Sequence, residues 1–411
     1  MTDMIFASQN GRTIPKEDKI FGISNRAKAR LAIDGKEKVV NATIGALLDD
    51  DGKVIVLSSV NEVFKNLKPA EYAEYAPIGG TADFKEAVKK DTFRSFAPSV
   101  YTEAIVTPGG TGSIRNTVSN YSAYGDKILT TDWYWAPYKT IVEEQGRGLE
   151  TFQLFNKEGK FNHDDFELKI KELISVQQSL VIVINTPSNN PTGYGLTDDE
   201  WAKVIEILNS TPKDKRITLL VDIAYIDFAG DEEESRSFLP LLETLDSNVL
   251  PIVGHSLSKA YTLYGLRCGA MICMSKSKEV AEEFKRVCKF SARASWSNCP
   301  KAPQVILTKI YQDSELLKRV MEERKGYRDM LIRRGVAFKE EAEKVGLETL
   351  PFRSGFFITI PCQNPDEVCA RLEVEGIFVV PLAKGIRVSG ASISEKQARM
   401  LPAIIKKALD N

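Results

Sequence analysis

The chain contains few of the residues on which several common kinds of site depend. Only two of its 411 residues are histidine, which nearly excludes a Ser-His-Asp triad or a histidine-based metal site. Its six cysteines begin only at Cys268 and form no CxxC pair, which argues against a disulfide framework or a zinc site. We therefore expect no metal, and we expect a lysine of lowered pKa to move protons if the protein is an enzyme.

The chain also lacks an excess of charge and a long hydrophobic run. Lysine and arginine total 55 and aspartate and glutamate 56, so the formal net charge is −1. This balance gives no electrostatic reason to expect nucleic acid or an anionic membrane as a partner. No window approaches the ~20 apolar residues of a membrane span, and residues 1–11 lack a basic n-region. We expect small-molecule substrates and a cytoplasmic location.

Short apolar runs alternate with helical patterns through the middle of the chain. Seven candidate strands result: 103–107, 127–130, 149–154, 180–185, 217–221, 250–253 and 269–274. Thr197, followed three residues later by Glu200, is typical of a capping box that opens an amphipathic helix. This alternation predicts an α/β fold with a mostly parallel seven-stranded sheet covered on both faces.

The C-terminal part has a different pattern. From 301 to about 346 the sequence is helical and heavily charged, which predicts a long helix centred on 316–331. Strands are predicted at 352–361 and 377–389, and a helix at 394–409. These elements predict a smaller α+β unit.

Four polar residues follow the ends of predicted strands. Asn190 follows the fourth run, Asp222 directly follows the fifth with Tyr225 three residues on, and Lys259 follows the sixth. Open α/β sheets bind ligands at the carboxyl ends of their strands, so we expect these side chains to share a site. A buried carboxylate such as Asp222 requires a partner, and a cationic ring nitrogen would supply one.

Lys259 lies in the segment 256–267, which places hydroxyl groups around it and ends at Arg267. A lysine amine becomes a nucleophile when it is desolvated or lies near another cation. The glycine-rich turn at 107–115 follows the first run and precedes a predicted helix, so a phosphate is expected at Gly109, Gly110 and Thr111. It is not a Walker A loop, because no Gly-Lys-Ser/Thr follows. Ser256 and Arg267 would complete the phosphate site.

The order and spacing of Asn190, Asp222, Tyr225 and Lys259 resemble those of the fold-type I pyridoxal-phosphate aminotransferases, most closely the aspartate aminotransferase branch. The resemblance implies a Schiff base between Lys259 and the cofactor, with Asp222 on the pyridinium nitrogen. It also implies that Tyr225 and Asn190 bond the cofactor 3′-oxygen. Catalytic roles fall to Lys259, Asp222 and Tyr225. The cofactor-binding residues implied are Tyr75, Gly109, Gly110, Thr111, Trp135, Asn190, Asp222, Tyr225, Ser256, Lys259 and Arg267.

The same resemblance assigns substrate contacts. Arg387 is similar to the arginine that holds the α-carboxylate, and Arg293 to the one that reaches a side-chain carboxylate across a homodimer. Gly45 would lie over the substrate beside Asn190, and Tyr75 would reach the neighbouring subunit's phosphate. The active sites of the expected homodimer are therefore composite.

The family pattern also favours Trp135 over Trp133 as the residue that stacks on the cofactor ring, although either tryptophan fits ordinary aromatic packing. Three positions depart from the aspartate enzymes. Gly109 replaces a phosphate-binding serine, Tyr138 replaces the histidine behind the ring, and Asn189 replaces another histidine before Asn190.

The resemblance predicts a large cofactor-binding domain at 49–300, a small domain made of 12–48 and 301–411, and an N-terminal arm at 1–11. The expected activity is amino-group exchange between an L-amino acid and a 2-oxo acid. Acidic substrates, aspartate and glutamate, are favoured, and aromatic ones are a further class. Two alternatives stay open: a carbon–sulfur β-lyase of the same fold, and a binding or regulatory protein that keeps the fold without turnover.

Overall fold

The computed structural model describes residues 19–410. The predicted arm at 1–11 and the first residues of the segment 12–48 lie outside this range. The strands are β1 Val40–Asn41, β2 Tyr101–Thr107, β3 Lys127–Thr131, β4 Gly148–Phe152, β5 Ser179–Asn185, β6 Arg216–Asp222, β7 Val249–Ser256, β8 Gly269–Ser275, β9 Phe357–Pro361, β10 Ile377–Phe378, β11 Val380–Pro381 and β12 Gly385–Ser389.

The helices differ widely in length. They are α1 Lys19–Asp34, α2 Ser58–Lys65, α3 Pro69–Ala73, α4 Ala82–Phe93, α5 Gly109–Tyr121, α6 Pro137–Glu144, α7 His163–Val176, α8 Asp198–Asn209, α9 Leu257–Ala260, α10 Lys278–Ser295, α11 Lys301–Gln312, α12 Ser314–Lys344, α13 Pro365–Val374 and α14 Glu395–Asp410.

Seven strands form the large sheet in the order β2-β8-β7-β6-β5-β3-β4. The pairs from β7 to β4 are parallel, whereas β8 runs antiparallel to both of its neighbours. Each predicted strand of the middle region corresponds to one of these seven, so the mostly parallel sheet is confirmed. Because all these carboxyl ends except that of β8 lie at one edge, residues that follow the strands meet there.

The large sheet is covered on both faces, as the alternation of strands and helices predicts. Along β5, Ile182 and Ile184 pack into one core with residues of α4, α7 and α8, while Val181 and Val183 pack into a second core with residues of α5, α6 and α10. Successive side chains of a strand point to opposite faces, so an unbroken apolar run is what a strand buried on both sides requires.

The helix α8 begins with the predicted capping box. Thr197 Oγ1 accepts a hydrogen bond from the Glu200 N–H at 3.2 Å, and Glu200 Oε2 accepts one from the Thr197 N–H at 2.8 Å. The predicted long helix at 301–346 is divided in two at Asp313, whose carboxylate accepts the N–H groups of Glu315 and Leu316. A new helix starts there because these N–H groups find a side-chain partner.

The smaller α+β unit contains the antiparallel sheet β11-β12-β9 and the parallel pair β1-β10. The predicted strand at 352–361 begins only at Phe357, and the predicted strand at 377–389 is three short strands. The helix predicted at 394–409 is α14. Pairing of Val40 with Ile377 joins the N-terminal segment to this unit.

The helix α11 packs with the large sheet. Ile306, Leu307 and Ile310 belong to its core, together with Val320 from the start of α12, although the sequence places residues from 301 onward in the small domain. Among residues 19–410, no helix combines the length and apolar character needed to cross a membrane. Within the same range, no group of three or more histidine, cysteine or acidic side chains could hold a metal ion.

Candidate active site

A cavity of about 610 Å³ lies at the carboxyl ends of the central strands. Asn185, Asp222 and Ser256 are the last residues of β5, β6 and β7, and all three line it. The smaller unit contributes Phe357 from β9 and Arg387 from β12. Of the residues predicted for the site, the cavity is lined by Gly45, Gly110, Thr111, Trp135, Asn190, Asp222, Tyr225, Ser256, Lys259, Arg267 and Arg387.

The Lys259 amine lies inside this cavity. Nζ donates a hydrogen bond to the Gly45 carbonyl at 2.6 Å and lies 4.9 Å from the centroid of the Tyr264 ring. Burial, followed by the positive charges of Arg267 and Arg387, lowers the pKa of Lys259 to about 7. A substantial fraction of this amine is therefore uncharged at neutral pH, which is the form that attacks a carbonyl carbon.

Asp222 is a buried carboxyl group with two protein donors. The Tyr138 hydroxyl donates to Oδ2 at 2.7 Å, and the Ala224 N–H donates to Oδ1 at 3.2 Å. Burial raises the pKa of Asp222, while the bonds from Tyr138 and Ala224 oppose that rise. The carboxylate lines the cavity, so a protonated ring nitrogen entering there would meet an acceptor of opposite charge.

Asn190 connects Tyr225 to Arg387. Its Nδ2 donates to the Tyr225 hydroxyl at 3.2 Å, and its Oδ1 accepts from Arg387 Nη1 at 3.2 Å. The Asn190 N–H donates to Asn185 Oδ1 at 2.7 Å, which fixes the loop after β5. Burial raises the pKa of Tyr225, so its hydroxyl remains a donor at neutral pH.

Groups that can bind an anion lie together where α5 begins. Gly109 has φ +72°, and a Cβ there would lie 2.7 Å from Arg267 Nη2, so glycine permits the guanidinium to approach this turn. Arg267 Nη1 donates to Ser258 Oγ at 3.1 Å. Gly109 itself does not line the cavity, but its neighbours Gly110 and Thr111 do. Helix N–H groups, hydroxyls and an arginine are the donors that a phosphate prefers.

Arg387 is 4% exposed and stacks on Phe357, with its guanidinium carbon 4.3 Å from the ring centroid. Nη2 donates to the Thr43 carbonyl at 2.8 Å, whereas Nε has no hydrogen-bond partner within residues 19–410. Burial lowers the pKa of Arg387 to about 10. A buried guanidinium without a carboxylate partner in the described chain is suited to receive a carboxylate from a ligand.

Two predicted site residues, Tyr75 and Arg293, and the alternative tryptophan Trp133 do not line the cavity. Trp133 packs into the core of the large sheet, so Trp135 is the tryptophan of the pair that faces the cavity. Tyr75 is 91% exposed, and Arg293 is exposed at the end of α10, where Nη1 donates to Ser297 Oγ at 2.7 Å. Neither lines the cavity of its own chain.

Several residues that line the cavity were not predicted from the sequence to belong to the site. Ser258 and Tyr264 lie in the segment around Lys259, whose concentration of hydroxyl groups is the signal that could have identified them. Ile20, Phe21 and Ser24 of α1 also line the cavity. They approach residues more than two hundred positions away, and nothing in the local pattern of α1 indicates that contact.

The sequence is similar to those of known proteins over most of its length. The model of the family "Aminotransferase class I and II" matches residues 37–405. The chain is 26% identical over 337 residues to the mitochondrial aspartate aminotransferase of Arabidopsis thaliana, covering 80% of this chain and 75% of that protein.

Solved structures are similar over nearly the whole chain. An aminotransferase from Anaerococcus prevotii superposes with a TM-score of 0.97 at 39% identity, covering 99% of this chain and 100% of that one. An aromatic-amino-acid aminotransferase from Burkholderia pseudomallei, covalently bound to pyridoxal phosphate, has a TM-score of 0.81 at 23% identity and covers 97% and 98%. The predicted fold class is thereby confirmed.

Proposed function

The chain belongs to the class I and II aminotransferases, and we propose that this pyridoxal-phosphate-dependent enzyme acts mainly on acidic L-amino acids, aspartate and glutamate, with a 2-oxo acid as acceptor. The preference for acidic donors rests on Arg293 and on the aspartate aminotransferase relatives, and one observation carries the proposed chemistry. A single cavity holds a lysine with a lowered pKa, a buried carboxyl group and a buried arginine that lacks a carboxylate partner among residues 19–410. The carbon–sulfur β-lyase alternative is not favoured by the relatives, which are aminotransferases.

The residues of the cavity fit pyridoxal phosphate. Asp222 would hold the ring nitrogen, Trp135 would stack on the ring, and Asn190 with Tyr225 would bond the 3′-oxygen. The phosphate would be held by Arg267, the hydroxyls of Ser256 and Thr111, and the N–H groups at the start of α5. When bound, the cofactor supplies an electron sink for the charge that develops at the substrate Cα.

The proposed roles in the reaction follow from charge and position. Lys259, whose amine is partly uncharged at neutral pH, would hold the cofactor aldehyde, and its Nζ is placed to take up and return a proton at the substrate Cα. Arg387 holds the α-carboxylate by two parallel hydrogen bonds and orients Cα toward Lys259. Gly45 leaves room beside them, because a Cβ there would approach Phe357 to 3.0 Å and Lys259 Nζ to 3.9 Å.

We further propose a homodimer in which Tyr75 and Arg293 complete the partner's site. Both are exposed, and their segments are joined, since Asn298 Nδ2 donates to the Ala76 carbonyl at 2.6 Å. Tyr75 would bond the phosphate and Arg293 the side-chain carboxylate of the substrate in the neighbouring subunit.

The domain division and the cellular location are part of the same proposal. The domain division is retained as 49–300 for the large domain and 12–48 with 301–411 for the small one, with α11 packed on the large sheet. We propose a cytoplasmic location, as in the name of the rice aspartate aminotransferase, whereas the relative from Arabidopsis thaliana is named mitochondrial.

A panel of amino donors tests the substrate class. Aspartate, glutamate, alanine, phenylalanine and tyrosine would each be supplied with 2-oxoglutarate or oxaloacetate, and the new amino acid would be measured. We expect kcat/KM for the acidic donors to exceed that for the others. Release of pyruvate and ammonia from a β-substituted alanine without any 2-oxo acid, at a rate above transamination, would instead identify a lyase.

A further inference from the structure

The hydroxyl that bonds Asp222 comes from a residue with no assigned role. Tyr138 lies in the first turn of α6, is 1% exposed and donates to Asp222 Oδ2 at 2.7 Å. It does not line the cavity. The Tyr138 hydroxyl is therefore connected to the cavity through Asp222.

The ring of Tyr138 is held from two sides. Trp135 packs against it edge-on, with centroids 5.7 Å apart, and Tyr134 stacks on it at 6.5 Å with planes 8° apart. The Tyr138 N–H also donates to the Trp135 carbonyl at 2.9 Å. These contacts leave the hydroxyl little freedom, so the carboxylate it bonds is also held in one orientation.

The chemistry of the donor matters as much as its position. A carboxyl group buried without donors tends to take up a proton and become neutral. A phenol donates one hydrogen bond without adding a positive charge, and burial together with the nearby Asp222 raises the pKa of Tyr138. The donor consequently stays protonated, and an ionised Asp222 still has lone pairs for a further donor. The other titratable groups that face Asp222 are Lys259 and Tyr225.

We propose that Tyr138 is a positioning residue that holds Asp222 as an oriented, ionised acceptor for the ring nitrogen of pyridoxal phosphate. The proposal rests on the function proposed above for Asp222. It assigns a role to one of the departures in the sequence, where this chain has a tyrosine in place of the histidine typical of aspartate aminotransferases. Without the phenol, Asp222 becomes the stronger base, and the proton shared with the ring nitrogen moves toward its carboxylate.

The test follows the ring nitrogen directly. Holoenzyme is prepared with pyridoxal phosphate labelled with ¹⁵N in the ring, and the nitrogen chemical shift is recorded at pH 7.5 for the wild type, Tyr138→Phe and Tyr134→Phe. We expect the Tyr138→Phe resonance to move toward the value of an unprotonated pyridine. Tyr134→Phe removes the same atom from the adjacent stacked ring and is expected to leave the resonance in place. An unchanged resonance in folded Tyr138→Phe protein overturns the proposal.

Two further variants distinguish a failure of the proposed role of Tyr138 from a failure of the proposed role of Asp222. Asp222→Asn is expected to give an unprotonated nitrogen; if it does not, the proposed function of Asp222 fails. If it does and Tyr138→Phe does not, only the role of Tyr138 fails. Replacing Tyr138 by p-aminophenylalanine restores an N–H donor at the same place and also covers the case in which the Phe variant does not fold. Its resonance is expected near that of the wild type, and a resonance at the unprotonated value would contradict the proposal.

Discussion

At the residue scale, Lys259 shows how the fold changes the chemistry of one side chain. An unperturbed lysine has a pKa of about 10.4, whereas burial and the charges of Arg267 and Arg387 lower that of Lys259 to about 7. The amine therefore becomes reactive as the pH rises through 7. Competitive labelling of the cofactor-free protein with limiting reductive-methylation reagent, read by peptide mass spectrometry, should give a midpoint near pH 7 for Lys259.

A control for that labelling is available in the same experiment. Arg267→Met should raise the midpoint of Lys259, because one positive charge near the amine is removed. A midpoint near 10 for Lys259 in the wild-type protein would show that the amine is not desolvated.

Two arginines are expected to read different parts of the substrate. Truncating one member of a buried charged pair costs about 2–5 kcal/mol, or roughly 30-fold or more in kcat/KM. Arg293→Ala should impose this loss on aspartate and glutamate but not on alanine or phenylalanine. Arg387→Ala should impose it on all four, because each has an α-carboxylate. The measurement is the ratio of acidic to neutral kcat/KM in each variant.

If Arg293→Ala leaves that ratio unchanged, Arg293 does not contact the side-chain carboxylate. The enzyme would then be better described as a neutral or aromatic amino-acid aminotransferase. Arg286, which lies on the same helix, supplies a matched arginine-to-alanine control for general effects of lost charge.

At the element scale, the start of α5 determines whether Arg267 can reach the phosphate. A Cβ at Gly109 would lie 2.7 Å from Arg267 Nη2, and the backbone there has φ +72°, which strains any residue other than glycine. A Cβ at Gly110 would contact only Ser256 Cβ, at 3.7 Å. Gly109→Ala should therefore weaken pyridoxal phosphate binding about tenfold, for a loss of about 1–2 kcal/mol. Gly110→Ala is the matched control and should bind nearly as the wild type does.

Comparing pyridoxal with pyridoxal phosphate shows whether Gly109→Ala affects the phosphate site alone or the whole cavity. Pyridoxal, which lacks the phosphate, should bind to Gly109→Ala and the wild-type protein with similar affinity, as measured by fluorescence titration of the cofactor-free proteins. Equal losses for both ligands would mean that the substitution disturbs the whole cavity rather than the phosphate site.

At the scale of the whole molecule, the proposed site is built from residues of three parts: the large sheet, the smaller unit and a partner subunit. With aspartate as the amino donor, Lys259→Ala and a Tyr75→Ala/Arg293→Ala double variant should each have little or no activity alone. Mixed and allowed to exchange subunits, they should regain activity, because one site of each heterodimer receives a complete set of residues. Differently tagged chains would show that heterodimers have formed. Heterodimers without activity would place Tyr75 and Arg293 in their own subunit's site or outside any site.

Much of this arrangement is local in origin and was predicted from the sequence. The apolar runs at β5 and β6 fix a buried parallel sheet, and polar residues after them must lie at its carboxyl edge, so Asp222, Asn190 and Lys259 could be placed near one another. The capping box at Thr197 and the turn before α5 also depend on neighbours only a few residues apart. In each case the chain within a short window contains both partners of the interaction.

The remaining features depend on residues distant in sequence. Phe352 leaves the predicted strand to pack against Gly193 and Gly335. The pKa of Lys259 is lowered mainly by burial and, in part, by the charge of Arg387 on β12, and the bond from Tyr138 to Asp222 spans 84 positions. By itself the sequence determined the sheet, the order of the polar residues and the chemistry they have in common. Only the tertiary structure decided which tryptophan faces the cavity, which arginine is buried without a carboxylate partner in the described chain and which hydroxyl holds Asp222, because burial and electrostatic fields arise from packing between distant segments.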